Sequence, residues 1–174
     1  MKIQFGCGGN RLPGWQNHDA EVDIRKPLPY GDAVADLVFA EHVVEHVAPA
    51  DAWRFFTEVL RILRSGGVFR IAVPSIERVA LLADKEYLAW LAKSGFGEAT
   101  LRSAVENQIV NHGHLALWSE PLLKCCLEAV GFRAATPWPV HASGYPELRG
   151  IHGHGKVIGD RNNSIETITM EAVK

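Results

Sequence analysis

The sequence predicts a doubly wound α/β domain with a mostly parallel sheet, and three observations carry that prediction. Short apolar segments typical of buried strands occupy residues 2–5, 35–40 and 67–73. Between the second and the third, residues 51–64 carry apolar side chains at helical spacing and stop at a Ser-Gly-Gly turn. A strand, a helix and a second strand in that order form a right-handed crossover, which makes the two strands parallel.

The first strand runs into a glycine-rich cluster made of Gly6, Cys7, Gly8, Gly9 and Asn10. Glycine lacks a Cβ, so the chain can turn sharply there and a bulky ligand can lie against bare backbone. Asparagine is among the residues that best tolerate a positive φ. The segment lacks the Gly-Lys-Ser/Thr ending of a phosphate loop, and arginine stands where a dinucleotide fingerprint needs glycine. The cluster predicts a nucleoside-binding turn, with a plain tight turn after an edge strand as the alternative.

The ends of the three predicted strands indicate one site. The glycine cluster follows the first strand, Glu41 and His42 follow the second, and Pro74 and Ser75 follow the third. Ligands of parallel sheets bind at the carboxyl ends of the strands. We therefore expect these three chain segments to border the same ligand.

Composition and length favour a single globular domain. A chain of 174 residues, 47% of them hydrophobic, can bury one substantial core. The net charge of −2 offers no basic stripe, which argues against nucleic acid as a partner. No apolar run reaches membrane-spanning length and no signal peptide is recognised, so we expect no membrane partner and a cytoplasmic location. Nothing in the sequence indicates the oligomeric state.

The domain divides into three parts. Residues 1–75 form the ligand-binding half, residues 76–118 a helical insertion, and residues 119–174 a helix, a strand and a terminal hairpin. In the insertion, helices are predicted over 76–93 and 98–110. Such a pair over the strand ends serves either as a lid and acceptor pocket or only as cover for the sheet edge.

Four segments in series resemble the motifs of class I S-adenosylmethionine-dependent methyltransferases. They read FGCGGN, GWQNHD, DIRKPLPYGDAVADLVFAEHVVEHV and EVLRILRSGGVFRIAVPS, and they are most similar to short bacterial methyltransferase-like proteins with an EHxxEH box. The resemblance covers residues 2–75 densely, 118–138 loosely, and the tail from residue 152 as a hairpin that ends in an antiparallel strand. It implies a Rossmann-like fold, S-adenosylmethionine as cofactor, and methyl transfer to a small-molecule or saccharide-type acceptor.

The resemblance also implies which residues hold the donor, although the chain departs from the family near the glycine turn. Only residues 11–16, with a proline and a glycine among them, precede the next strand, so no helix fits there and the sheet is shortened at that side. Asp19 is the first choice for the ribose hydroxyls. Asp23 is the second choice, or it lies near the adenine edge with Ile24. The glycine turn, Glu41 and His42 complete the predicted donor site.

If the acceptor is a hydroxyl, its proton needs a base, and a histidine is suited to that task. The candidates are His42 and His46 beyond the second strand and His112 and His114 at the end of the insertion. For each of them a hydrogen-bonded structural histidine is the alternative.

Two other functions compete with methyl transfer. Residues 42–46 spell H-x-x-E-H, the pattern of an inverted zinc-protease motif. The pentapeptide stands where the resemblance places its EHxxEH box, and the sequence shows no second ligand pair at helical spacing. We therefore predict no metal site. The remaining alternative is a non-catalytic S-adenosylmethionine-binding or regulatory domain, because the shortened sheet would bind the donor weakly.

Overall fold

The computed structural model describes residues 1–174. Its central element is a six-stranded sheet. The strands are β1 (Lys2–Phe5), β2 (Gln16–His18), β3 (Ala35–Glu41), β4 (Leu63–Pro74), β5 (Arg133–Pro137) and β6 (Thr167–Val173). Their order is β2-β1-β3-β4-β6-β5. The first four strands are mutually parallel, whereas β6 is antiparallel to both β4 and β5. The predicted fold class is confirmed, including the shortened side, where β2 alone lies beyond β1.

Seven helices accompany the sheet. They are α1 (Pro49–Ile62), α2 (Ile76–Leu82), α3 (Lys85–Lys93), α4 (Leu101–Glu106), α5 (Glu120–Val130), α6 (Gly155–Ile158) and α7 (Asp160–Glu166). Short 3-10 turns lie at Val44–His46 and Pro146–Leu148, and a π-helical turn lies at Asn107–Asn111. None of the helices combines the length and the apolar character that crossing a membrane requires.

The main core lies between the sheet and the helices α1 and α5. Phe55, Phe56 and Val59 of α1 are fully buried against β-strand residues such as Phe69. The amphipathic spacing predicted for this helix is thus realised. On the opposite face of the sheet, Leu148 packs on Leu37 and Val68 in a much smaller cluster. The segment that carries Leu148 brings the chain from β5 back toward the glycine turn.

The helical insertion differs from its prediction in detail. The helix predicted over 76–93 is broken at Ala83 and Asp84, because the Asp84 side chain accepts from the N–H of Tyr87 at 3.0 Å and starts a new helix. The helix predicted over 98–110 is only six residues of α4 followed by the π-helical turn.

The predicted terminal hairpin is wrong. Residues 155–166 form the helices α6 and α7, separated by Gly159 at φ +88°. Ile165 of α7 is buried in a second apolar cluster with Val79 and Tyr87 of the insertion. This packing holds the tail against the insertion, so β6 enters the sheet from a helix, between β4 and β5.

Candidate active site

Two glycines of the turn after β1 share a left-handed backbone conformation but differ in how closely other atoms approach them. Gly6 (φ +66°) and Gly8 (φ +46°) both adopt the left-handed region that disfavours side chains. A Cβ on Gly6 would lie 2.1 Å from Cγ2 of Val43, whereas a Cβ on Gly8 would meet nothing within 4 Å. Cys7 is buried between them, and its N–H donates to the carbonyl of His18 at 2.9 Å. Packing against Val43 thus requires a glycine at position 6, whereas the turn is open to solvent at Gly8.

Two cavities lie over this turn and share Gly6 and His42. The first, which we call the Asp19 cavity, has a volume of about 490 Å³. Its lining residues are Gly6, Gly8, Asp19, Ala20, Val22, Asp23, Ile24, Arg25, His42, Val43, His46 and Val47. The second, the Lys156 cavity, has a volume of about 430 Å³. Its lining residues are Gly6, Cys7, Gly9, Asn10, Glu41, His42, Gly153, His154, Lys156 and Val157. Every residue predicted to hold the donor lines one of the two.

The two aspartates of the Asp19 cavity differ in their partners. Arg25 donates to both carboxylate oxygens of Asp23, at 2.8 and 3.0 Å, and this pairing lowers the pKa of Asp23 to about 2. The carboxylate of Asp19 makes no hydrogen bond within the protein, although its main-chain N–H donates to Glu21 at 3.1 Å. Asp19 is exposed at the end of β2. Its oxygens are therefore free to accept hydrogen bonds from a ligand.

Glu41 lines the Lys156 cavity and belongs to a buried chain of hydrogen-bonded polar groups. Its Oε1 accepts from Nδ1 of His152 at 2.8 Å, and its Oε2 accepts from the N–H of Gly153 at 2.7 Å. Burial alone would raise the pKa of this carboxyl, but the two hydrogen bonds outweigh that effect and hold the pKa below its ordinary value. Glu41 is thus a buried carboxylate whose orientation is fixed.

The tail covers the glycine turn on this side. Asn10 donates from Nδ2 to the carbonyl of Ile151 at 2.9 Å, and its Oδ1 accepts from Nζ of Lys156 at 2.8 Å. A Cβ on Gly153 would lie 2.5 Å from the Asn10 side chain, so only glycine allows this approach. The ammonium of Lys156 is thereby held beside the bare backbone of the turn.

A third space, the histidine cavity, brings together all four histidines that the sequence singled out. Its volume is about 180 Å³, and it shares His42 with the two cavities above. Its lining residues are His42, Glu45, His46, Pro74, Gln108, His112, His114, His154 and Glu166. Ring centroids are 5.0 Å apart for His46 and His114, and 5.7 Å apart for His112 and His114. The insertion therefore reaches the end of β3, which its predicted role as a lid and acceptor pocket requires.

These histidines have different protonation tendencies. Burial lowers the pKa of His112 and that of His114, which favours neutral imidazoles. Burial also acts to lower the pKa of His42, but the nearby carboxylates, Glu45 first and then Glu41 and Glu166, together outweigh burial and raise the pKa. His42 has φ +51°, unusual for a residue other than glycine, and its Nε2 lies 3.2 Å from Oγ1 of Thr167. Backbone strain of this kind concentrates at functional sites.

Several residues at these cavities were not found from the sequence. Gly153, His154 and Lys156 come from the tail that was predicted as a hairpin, and Gln108 and Glu166 come from the insertion and from α7. The sequence signal for the tail residues was the alternation of histidine and glycine from residue 152 to 155, followed by lysine. Without the fold, nothing in the sequence placed that segment over the first glycine turn.

Comparison with known proteins points to the same family as the sequence motifs. Residues 4–71 match the family model described as a methyltransferase domain. The class I methyltransferase resemblance is confirmed. A protein from Mycolicibacterium vanbaalenii named as an uncharacterized methyltransferase is 33% identical over 93 residues, which is 50% of this chain and 30% of the relative. The chain thus spans less than a third of that curated methyltransferase.

Solved methyltransferase structures share the fold. An S-adenosylmethionine-dependent methyltransferase from Archaeoglobus fulgidus superposes with a TM-score of 0.59 at 14% identity, covering 99% of this chain and 85% of the other. Phosphoethanolamine N-methyltransferase 2 of Haemonchus contortus, solved with S-adenosylmethionine, gives 0.56 at 12% identity and covers 99% and 48%. At such identities the likeness concerns the fold. The prediction of S-adenosylmethionine as the cofactor is confirmed at the level of the family.

Proposed function

We propose that the protein transfers a methyl group from S-adenosylmethionine to a small-molecule or saccharide-type acceptor. The observation that carries the proposal is the pair of cavities that meet at Gly6 and His42 over the glycine turn. S-Adenosylmethionine has an adenosine part and an amino-acid part, and two adjoining compartments at the carboxyl ends of parallel strands suit such a molecule. The family model matched by residues 4–71 supports the same assignment.

The Asp19 cavity suits the adenosine part. Asp19 has an unpaired carboxylate, which can accept hydrogen bonds from both ribose hydroxyls. Asp23 is held by Arg25, so it suits a single polar contact at the adenine edge better than the ribose. Ile24 is buried beside it and gives an apolar wall. We therefore keep Asp19 as the ribose ligand.

The Lys156 cavity suits the amino-acid part. The ammonium of Lys156 is the natural partner of a carboxylate, and the open backbone at Gly9 lies in the same cavity. Glu41 is anionic and lines the same space, where it can pair with the ligand's ammonium. Each carboxylate oxygen can accept a second hydrogen bond in addition to those from His152 and Gly153.

The histidine cavity suits the acceptor. When bound, S-adenosylmethionine supplies an electrophilic methyl group on a positively charged sulfur. The protein's share is to hold the acceptor in line at about 3 to 3.5 Å and to take up a proton if the nucleophile is a hydroxyl. His42 and His46 border both the histidine cavity and the Asp19 cavity, and the four histidines remain the candidate bases. The preference for a small or saccharide-type acceptor rests on the family resemblance and on the modest size of this cavity.

Calorimetric titration with S-adenosylmethionine and with S-adenosylhomocysteine tests the proposal. We expect one site per chain in the wild type and its loss in Gly8→Val, whose side chain would fill the open face of the turn. Incubation with candidate acceptors should then release S-adenosylhomocysteine. Absence of donor binding to the wild type would refute the proposal. Donor binding without turnover on any acceptor would instead favour a non-catalytic binding domain.

A further inference from the structure

Glu45 is a buried carboxylate whose nearest partners are two imidazoles. Its side chain is fully buried in the 3-10 turn after β3, and neither of its carboxylate oxygens accepts a hydrogen bond. The nearest basic atoms are Nδ1 of His42 at 3.2 Å and Nε2 of His46 at 3.9 Å, both close to Oε1. A buried carboxylate without hydrogen bonds lowers the stability of the folded protein unless a positive charge compensates it. Glu45 is one of the residues that line the histidine cavity, so a cation bound in that cavity would be its neighbour.

His114 is fixed beside this carboxylate by the backbone. The N–H groups of Leu115 and Ala116 both donate to the carbonyl of Glu45, at 2.7 and 3.1 Å. The imidazole of His114 lies 2.6 Å, through Nδ1, from the carbonyl of Gln108. A carbonyl can only accept, so Nδ1 carries the hydrogen and Nε2 keeps a free lone pair. Metal-binding histidines are typically oriented in this way, by a hydrogen bond from the other ring nitrogen.

We propose that Glu45, His46 and His114 bind one divalent transition-metal ion. One ligand atom from each of the three residues lies within 4.8 Å of the other two. His46 is 44% exposed and belongs to a short turn, so a rotation of its side chain can bring its nitrogen closer to the other two. Two imidazoles and one carboxylate are a ligand set that suits zinc and neighbouring first-row ions better than magnesium or calcium.

This ligand set differs from the one that the H-x-x-E-H pattern suggests. That pattern would pair His42 with His46 and use Glu45 as a base. In the structure His42 faces Glu45 and Thr167, while the second imidazole comes from His114, in the segment after the insertion's π-helical turn. The prediction of no metal site rested on the lack of a second ligand pair, and the proximity of residue 114 to Glu45 is a long-range contact that the sequence does not reveal.

The metal site also gives the histidine cavity a role in binding the acceptor. This part of the proposal rests on the proposed function. A four-coordinate ion held by these three ligands would keep one position for a ligand from the histidine cavity, which shares His42 with the two donor cavities. An oxygen or nitrogen atom of the acceptor would occupy this position. His46 and His114 would then act as ligands, leaving His42 and His112 as candidate bases.

Zinc titration of protein purified without a histidine tag and freed of metal with a chelator tests the site. We expect one zinc ion per chain by calorimetry and elemental analysis, and at least tenfold weaker binding in Glu45→Gln and in His114→Ala. His141→Ala is the matched control, because His141 is a partly exposed histidine paired with Asp160 outside the cavity. Cobalt absorption in the visible range would report imidazole ligation independently of activity.

Two further measurements separate the outcomes. Circular dichroism of each metal-free variant checks that the fold is retained. Donor titration of Glu45→Gln should match the wild type, so that loss of zinc and loss of S-adenosylmethionine binding are distinguished. No stoichiometric binding of zinc or cobalt to the wild type would overturn the site, and so would zinc binding that is unchanged in folded Glu45→Gln and His114→Ala.

Discussion

Nδ1 of His152 donates a hydrogen bond to Oε1 of Glu41 over 2.8 Å. The other ring nitrogen of His152 accepts from Nε of Arg70 at 2.9 Å, because arginine can only donate. Arg70 is fully buried, pairs with Glu171 and also donates to the carbonyls of Ala142 and Val140 at 2.9 and 2.6 Å. A neutral imidazole thus links a buried ion pair inside the sheet to the carboxylate at the end of β3.

His152→Ala should destabilise the protein by about 3 to 5 kcal/mol, the range for removing one partner from a buried charged network. The substitution would leave Nε of Arg70 without its acceptor and Oε1 of Glu41 without its donor. Urea unfolding at neutral pH measures the change in the free energy of unfolding. His141→Ala is the control and should change it by less than about 1 kcal/mol, since its ion pair with Asp160 is exposed. Equal losses in the two variants would contradict the network.

The same histidine predicts a pH dependence of stability. Burial lowers the pKa of His152 below its ordinary value of 6.5, although Glu41 partly opposes the shift. The unfolded chain therefore takes up a proton at a higher pH than the folded protein does. The contribution of His152 to stability is present above pH 6.5 and is lost as the pH falls through the range below it. Glutamine can also donate to Glu41 and accept from Arg70 without titrating.

We therefore expect the wild type to lose more stability than His152→Gln between pH 7.5 and 5.5. The raised pKa of His42 acts with the opposite sign, but it is common to both proteins and cancels in the comparison. Urea unfolding at the two pH values measures the difference. A steeper loss in His152→Gln would show that the sign assigned to His152 is wrong.

The parallel part of the fold was predictable because its signals are local. Apolar runs, the amphipathic spacing of α1 and the short connection before β2 each depend on neighbouring residues. The tail was predicted wrongly because its structure depends on distant packing. Ile165 is buried against Val79 and Tyr87, and no periodicity in residues 155–166 reveals that contact. The short helices α6 and α7 gain their stability from such tertiary contacts.

The site was predictable to the extent that it follows the ends of strands. Gly6, Asp19 and Glu41 were expected to lie together because the carboxyl ends of parallel strands meet at one edge, and each of them lines one of the two cavities over the glycine turn. Lys156 was not predicted, because it lies 146 residues after Asn10 in the sequence and meets it only in the folded protein. The partnership of His114 with Glu45 depends in the same way on main-chain hydrogen bonds between distant segments.

The two left-handed glycines should respond differently to alanine. Gly6→Ala combines a left-handed backbone with a contact of 2.1 Å to Val43, so we expect a loss of about 3 to 5 kcal/mol. Gly8→Ala keeps open space around its Cβ and should cost only about 1 to 2 kcal/mol. Urea unfolding measures both values. Val43→Ala should recover part of the loss in the Gly6→Ala background, and no recovery would mean that the steric contact is unimportant.

The last prediction concerns the two aspartates of the Asp19 cavity. Asp19→Ala should weaken S-adenosylmethionine binding by about 1.5 to 3 kcal/mol, the range for hydrogen bonds to a charged group. Asp23→Ala should weaken it less, because the carboxylate of Asp23 is already hydrogen-bonded by the side chain and the main-chain N–H of Arg25. Calorimetric titration of each variant with the donor measures the affinities.

Asp19→Asn separates charge from shape in the same experiment. The amide keeps one acceptor oxygen, so its affinity should fall between those of the wild type and Asp19→Ala. Both side chains are at the surface, so the stability of the fold should change little in any of the three variants. If Asp23→Ala abolishes binding while Asp19→Ala leaves it unchanged, the ribose is held by Asp23, and the ligand must then displace Arg25 from that carboxylate.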